Sequence, residues 1–134
     1  MKTRDPINPM RSDIRDWAFV DGAQEPEQDW DLHLANLREF DLYVELAADD
    51  SCPSWDYFLR LLYMIVGDAV RTDFRTESIE TIKDILAITE RFPKHRFHIF
   101  RQRSLALLDD PATFDYDDWC AGKLVVRDLN PTHQ

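Results

Sequence analysis

Apolar side chains recur every three or four positions along most of this sequence, the spacing that places them on one face of an α-helix. Polar or proline-containing breaks divide the pattern into five segments. The apolar pattern therefore predicts five helices, which span residues 9–21, 26–47, 53–71, 78–92 and 93–108. The one strand-like stretch, LVVRDL at 124–129, is short.

Proline and glycine mark several ends of these segments. Proline is favoured at the first position of a helix, where its missing N–H has no partner to lose. It stands at the start of four predicted helices, as Pro9, Pro26, Pro53 and Pro93. Asp21-Gly22 closes the first helix, since glycine readily takes the left-handed conformation that commonly ends one.

The C-terminal part of the sequence has a weaker pattern. The stretch ATFDYDDWCAG predicts one or two short helical turns that end at Gly122, with Phe114, Tyr116 and Trp119 packed inward. Residues 123–134 are expected to form an extended or frayed tail. The sequence thus predicts a single all-α domain over 1–134, a compact bundle or a short solenoid-like stack of about five helices with short C-terminal turns.

An aspartate follows the most apolar run of the chain. Residues 61–66 are apolar, and Gly67 then leaves room for a neighbouring helix to approach closely. Asp68 continues an apolar stripe, so its carboxylate should be partly buried and in need of a partner. Arg71 lies three positions on, within side-chain reach, and Arg75 follows in the next break. We interpret the three residues as a structural ion pair that fixes a helix end.

The charge of the chain restricts its partners. The formal net charge is −10, and residues 1–56 hold 14 acidic against 5 basic side chains. Such a surface repels nucleic acids and anionic membranes and attracts basic proteins. The longest apolar run has six residues, against about 20 for a membrane span. With no apolar stretch in MKTRDPINPMRSD to suggest a signal peptide, we expect a cytoplasmic protein.

Catalytic and metal-binding motifs are absent from the sequence. The acidic block at 109–120 lacks the glycine and glutamate that an EF-hand loop requires. His95 and His98 have no identifiable third ligand, and the two cysteines predict free thiols. In RFPKHRFHIFRQR at 91–103, the phenylalanines keep helical spacing and indicate core more than RNA binding. We predict no metal site, no cofactor and no catalytic residue.

Two acidic segments carry a resemblance to a class of known proteins. They are EPEQDWDLHLANLREFDLYVELAADD at 25–50 and DDPATFDYDDWC at 109–120. Together with the small helical chain, they resemble the immunity proteins of bacterial toxin systems. That resemblance implies an inhibitor that covers one basic toxin domain. The expected partner-binding residues are Glu27, Asp29, Trp30, Asp31, Asp49, Asp50, Asp117 and Asp118.

Two other functions stay open at the level of sequence. One is a small helical enzyme or ligand-binding bundle that uses Asp68, Arg71 and either His95 or Cys120. The other is a helical adaptor that has no toxin partner. An enzyme requires these groups to meet in a pocket, whereas an inhibitor requires its acids on the surface.

Overall fold

The computed structural model describes residues 11–25 and 39–129. Within these ranges the protein is all-α, as predicted, with no strand. The two described ranges contain seven α-helices and one 3₁₀ turn, in the order α1 Arg11–Ala18, α2 Phe40–Ala48, α3 Trp55–Arg71, α4 Ile79–Thr89, α5 His95–Asp109, the 3₁₀ turn Pro111–Thr113, α6 Tyr116–Trp119 and α7 Lys123–Asp128.

The chain forms two compact units, residues 1–62 and 63–134, whose boundary lies within α3. In the first unit, α1 packs against α2. Arg11 binds Glu39 at 2.5 Å and Asp41 at 3.1 Å, while Arg15 binds Glu45 at 3.1 Å. The hydrogen bond from Arg11 lowers the pKa of Asp41 below its ordinary value. Basic residues of α1 therefore neutralise the acidic face of α2.

Aromatic side chains fill the core of the first unit. Trp17 is buried, with its ring centroid 4.9 Å from that of Tyr57 and 6.0 Å from that of Phe58. Its indole N–H donates to the Gln24 carbonyl at 2.8 Å. Trp17 is thus a core residue with its polar atom satisfied, as buried tryptophan usually requires.

The second unit is built around a helical hairpin of α4 and α5. Ser78 caps α4 by accepting a hydrogen bond from the Thr81 N–H, which satisfies one of the unpaired donors of its first turn. Tyr63, at the start of this unit, packs edge-on against Phe100 at 4.9 Å and Trp119 at 5.4 Å. Phe97 is also fully buried.

Helix α3 is followed, after Thr72, by two residues in the left-handed conformation, neither of them glycine. Asp73 has φ 56° and Phe74 has φ 62°. The Phe74 N–H donates to the Ala69 carbonyl and the Asp73 N–H to the Val70 carbonyl, the pattern of a Schellman motif. Aspartate tolerates this conformation better than most residues do, which accounts for its place at the turn.

The structure corrects several predicted boundaries. Helix α1 ends at Ala18 and α4 at Thr89, each about three residues earlier than the pattern indicates. The expected extended tail is wrong for residues 123–128, because α7 forms there. Its Leu124, Val125 and Asp128 are buried, so tertiary packing stabilises a helix that is short on its own.

Candidate functional site

The short helix α6 and the residue before it carry a dense group of acids. Asp115 is the N-cap of α6 and accepts a hydrogen bond from the Asp118 N–H at 3.2 Å. Tyr116 and Asp117 lie between them, and no basic residue occurs from 109 to 118. We call Asp115, Tyr116, Asp117 and Asp118 the α6 acidic surface.

Tyr116 is the exposed aromatic side chain of this surface. It is 55% exposed, whereas Trp119, one helical turn later, is only 5% exposed. The prediction that Tyr116 packs inward is therefore wrong. A β-carbon added at Gly67 would lie 2.7 Å from Trp119 Cβ and 3.4 Å from Phe114, so those two side chains occupy the approach to α3. Tyr116 is left in solvent.

The two aspartates predicted from α6 to bind a partner are held by cations of α7. Asp117 pairs with Lys123 at 3.4 Å, and Asp118 pairs with Arg127 at 3.2 Å. Ion pairs this exposed contribute about 0–1 kcal/mol each, because water and salt screen them. A cation from another protein can therefore displace Lys123 at little energetic expense.

The other predicted partner-binding residues have separate environments. Glu27, Asp29, Trp30 and Asp31 lie outside the described residues. In the loop after α2, Asp49 accepts hydrogen bonds from the Ser51 N–H at 2.9 Å and the Ser51 hydroxyl at 2.6 Å, so it orders its own loop. Asp50, next to it, is exposed.

Asp68 lies at the centre of a small polar cluster at the end of α3. Its Oδ1 accepts hydrogen bonds from Arg71 Nε at 3.2 Å and Nη2 at 3.1 Å. The Cys120 thiol lies 3.6 Å from the same oxygen. Arg75 is exposed, and among the described residues it makes no ion pair with Asp68. The predicted cluster of three thus reduces to Asp68 and Arg71.

The environment of Cys120 opposes nucleophilic chemistry. Burial, with the Asp68 carboxylate beside it, raises the pKa of the Cys120 thiol to about 12. A reactive cysteine needs the opposite shift, because the thiolate is the nucleophile. His95 is exposed at the start of α5, with its ring 6.4 Å from that of His98. It makes no hydrogen bond with Asp68 or Cys120 in the described part of the chain.

A buried polar network on α7 is the site that sequence reasoning missed. The Asp128 side chain has 0% exposure. It accepts hydrogen bonds from the Tyr63 hydroxyl and from Arg103 Nη1, both at 2.5 Å. Burial raises the pKa of Asp128, while the bonds to Tyr63 and Arg103 act in the opposite direction. The sequence signal for this network is the helical spacing of Leu124, Val125 and Asp128, which indicates that Asp128 shares the buried face of α7.

The described ranges contain neither a cluster of metal-ligating side chains nor a membrane-spanning helix. No group of three or more His, Cys, Asp or Glu side chains there could hold a metal ion. None of the helices described is both long and apolar enough to cross a bilayer. No protein family, curated protein or solved structure matches this chain.

Proposed function

We propose that this protein is an acidic protein-binding module, an immunity-type inhibitor that neutralises a basic toxin domain by covering it. The observation that carries the proposal is Tyr116, 55% exposed between Asp115 and Asp117. An exposed aromatic ring rimmed by carboxylates matches the usual anatomy of an interface hot spot. The proposal places the protein in the cytoplasm.

The chemistry of the α6 acidic surface selects a cationic contact. A tyrosine ring attracts an arginine or lysine head group through its π face. Carboxylates on either side add charge-assisted hydrogen bonds, which are about twice as strong as neutral ones. A partner side chain that meets Tyr116 and Asp117 together would be an arginine or a lysine.

The total charge favours rapid capture of such a partner. At −10 the chain attracts a basic protein from a distance, and this steering raises the association rate. Salt screens the attraction, so association should slow as salt is added. Glu27, Asp29, Trp30, Asp31, Asp49 and Asp50 remain in the predicted binding set.

An enzyme that uses Asp68 and Cys120 is less well supported. The thiol is protonated at neutral pH, because its pKa is about 12. Asp68 is occupied by Arg71 through two hydrogen bonds to one oxygen. Both features are typical of a structural cluster, which supports the inhibitor over the enzyme.

Affinity capture with matched variants tests the proposal. Wild-type protein, Tyr116→Ala, Asp117→Lys and the control Glu90→Lys are immobilised and exposed to lysate of the native cells at low salt. Glu90 is exposed beyond α4, so its reversal changes net charge equally but at another place. We expect a basic protein that wild type and Glu90→Lys retain, that Tyr116→Ala and Asp117→Lys lose, and that a salt step releases.

The purified partner then completes the test of inhibition. Its activity should fall to near zero at one equivalent of wild-type protein and persist with Tyr116→Ala. Retention of the same proteins by all four baits would contradict the role of the α6 acidic surface. A partner that binds without losing activity would favour the adaptor function instead.

A further inference from the structure

A groove between α4 and α5 offers a second interaction surface, distinct from the α6 acidic surface. It has a volume of about 260 Å³ and is lined by Ile79, Lys83, Leu105, Leu108 and Asp109. Three of the lining side chains are aliphatic, and the other two carry opposite charges. The groove therefore combines aliphatic side chains with one cation and one anion.

Helix geometry explains why these five residues meet. The connection from α4 to α5 is short, residues 90–94, so the two helices run antiparallel and the start of α4 lies beside the end of α5. Ile79 and Lys83 are four positions apart on one face of α4. Leu105, Leu108 and Asp109 share one face of α5 in the same way.

Leu105 projects beside the groove it helps to line. It is 52% exposed, although leucine is among the residues most often buried. The same face thus presents an aliphatic side chain that projects and a cavity of a size to receive one. A surface that carries both is complementary to itself.

The two charged side chains of the groove, Lys83 and Asp109, also make the surface complementary to a second copy of itself. Among the described residues, neither Lys83 nor Asp109 forms an ion pair, in contrast to the paired acids of α6. Glu80 and Asp84 follow Ile79 and Lys83 by one residue, so they lie about 100° further round α4 and off the groove. One unpaired cation and one unpaired anion therefore remain on the groove.

We infer that the groove binds the same groove of a second copy of this chain. A two-fold axis through the groove places Leu105 of each copy in the groove of the other. The same axis brings Lys83 of one copy to Asp109 of the second, and Asp109 of the first to Lys83 of the second. Isologous interfaces consist of such reciprocal contacts.

The size of the groove sets the strength of the dimer. Five lining residues per copy are far fewer than the 20–30 per side of a standard interface. The dimer is therefore weak and forms only at high protein concentration. Each copy carries −10, so the dimer is best sought near 0.15 M salt, where the Debye length is about 8 Å and net repulsion is largely screened.

Sedimentation equilibrium at protein concentrations up to about 1 mM measures the association. Wild type should dimerise, and Leu105→Gln should weaken the dimer at least about tenfold by removing the aliphatic contact. The matched control is Leu129→Gln, because Leu129 is also exposed but lies after α7. It should dimerise like wild type.

Charge exchange tests the two-fold arrangement itself. Lys83→Asp and Asp109→Lys should each weaken the dimer about fivefold, because each leaves two like charges facing one another. The double variant restores both pairs and should associate within about twofold of wild type. A wild type that stays monomeric at about 1 mM overturns the inference. So does a dimer unaffected by Leu105→Gln, or a double variant that fails to recover.

Discussion

The hydroxyl of Tyr63 donates a hydrogen bond to the carboxylate of Asp128, 65 residues away in the sequence. Arg103 donates to the other oxygen of that carboxylate and, at 3.0 Å, to the Leu124 carbonyl. Residues of α3, α5 and α7 thus meet at one buried acid. A buried charge is tolerable only with such partners, so the network makes the position of α7 depend on Tyr63 and Arg103.

Replacing Arg103 should destabilise the protein in a pH-dependent way. Burial raises the pKa of Asp128 above its ordinary value of 3.8, so the folded chain holds this proton more tightly than the unfolded chain. The free energy of unfolding therefore falls as pH rises from 3.8 through the raised pKa. Arg103→Met removes the cation and raises that pKa further. We expect a loss of about 3 kcal/mol near pH 8 and a smaller loss near pH 4, measured by urea unfolding.

The matched control is Arg71→Met, which removes an arginine from a partly exposed pair. Arg71 binds Asp68 at 3.1 Å with nearly half of its own side chain in solvent. Its replacement should cost less than about 1 kcal/mol, at either pH. Two outcomes would contradict this role of Asp128. One is an equal loss of stability in Arg103→Met and Arg71→Met, and the other is a loss in Arg103→Met that does not grow with pH.

Alanine at Gly67 should destabilise α3 although alanine is the better helix former. By helix propensity alone the change should add about 1 kcal/mol. The new methyl group would, however, lie 2.7 Å from Trp119 Cβ and 3.3 Å from the Cys120 sulfur. Overpacking of this kind costs about 1–3 kcal/mol, so we expect a net loss of stability and a changed near-UV circular dichroism spectrum. Ala106→Gly, at an exposed position of α5, measures the propensity term separately. A more stable Gly67→Ala protein would contradict the close approach.

Removing the hydroxyl of Ser104 should stabilise the protein. Ser104 is fully buried on α5, and its hydroxyl has no hydrogen-bond partner among residues 11–25 and 39–129. Ser104→Ala should therefore raise the free energy of unfolding by about 1 kcal/mol, because the variant no longer buries this unpaired hydroxyl. Thr89→Val is the contrasting control, since the buried Thr89 hydroxyl donates to the Leu86 carbonyl at 2.6 Å. That variant should lose about 1 kcal/mol. Parallel thermal and urea unfolding would show whether the two changes have opposite signs.

Both cysteines should be unreactive in the native protein. Burial raises the pKa of Cys52, whose thiol donates to the Ala18 carbonyl at 3.3 Å, and the pKa of Cys120 reaches about 12. We expect native labelling by iodoacetamide at neutral pH to be at least about 100-fold slower than labelling of the unfolded chain. Gln102→Cys, an exposed position, supplies a thiol that should react at once. Rapid native labelling of Cys120 would revive the enzyme hypothesis.

Local interactions account for most of what the sequence could predict. Asp68 and Arg71 are three residues apart on one helix, so their contact follows from helical spacing alone. The glycine at 67 likewise signals a close approach. That the approaching side chain belongs to Trp119 could not be read from the pattern, because it depends on the path of the chain through α4, α5 and the 3₁₀ turn to α6.

Long-range packing explains the features that the sequence did not reveal. Residues 123–128 have too few positions to form a stable helix in isolation, so the pattern favoured a tail. Asp128 finds its partners in α3 and α5, which no local rule connects to it. Tyr116 and Trp119 have similar local settings, and only tertiary contacts make the first exposed and the second buried.

The pairing of Tyr63 with Asp128 also has a consequence for the order of events in folding. Contacts between residues 65 positions apart require closure of a long loop, and such contacts slow folding. During synthesis, Tyr63 and Arg103 are added to the chain before the carboxylate that they bind exists. Until Asp128 emerges, the nascent chain must keep a phenol and a guanidinium hydrated, so residues 63–128 should reach their final packing late and in one cooperative step.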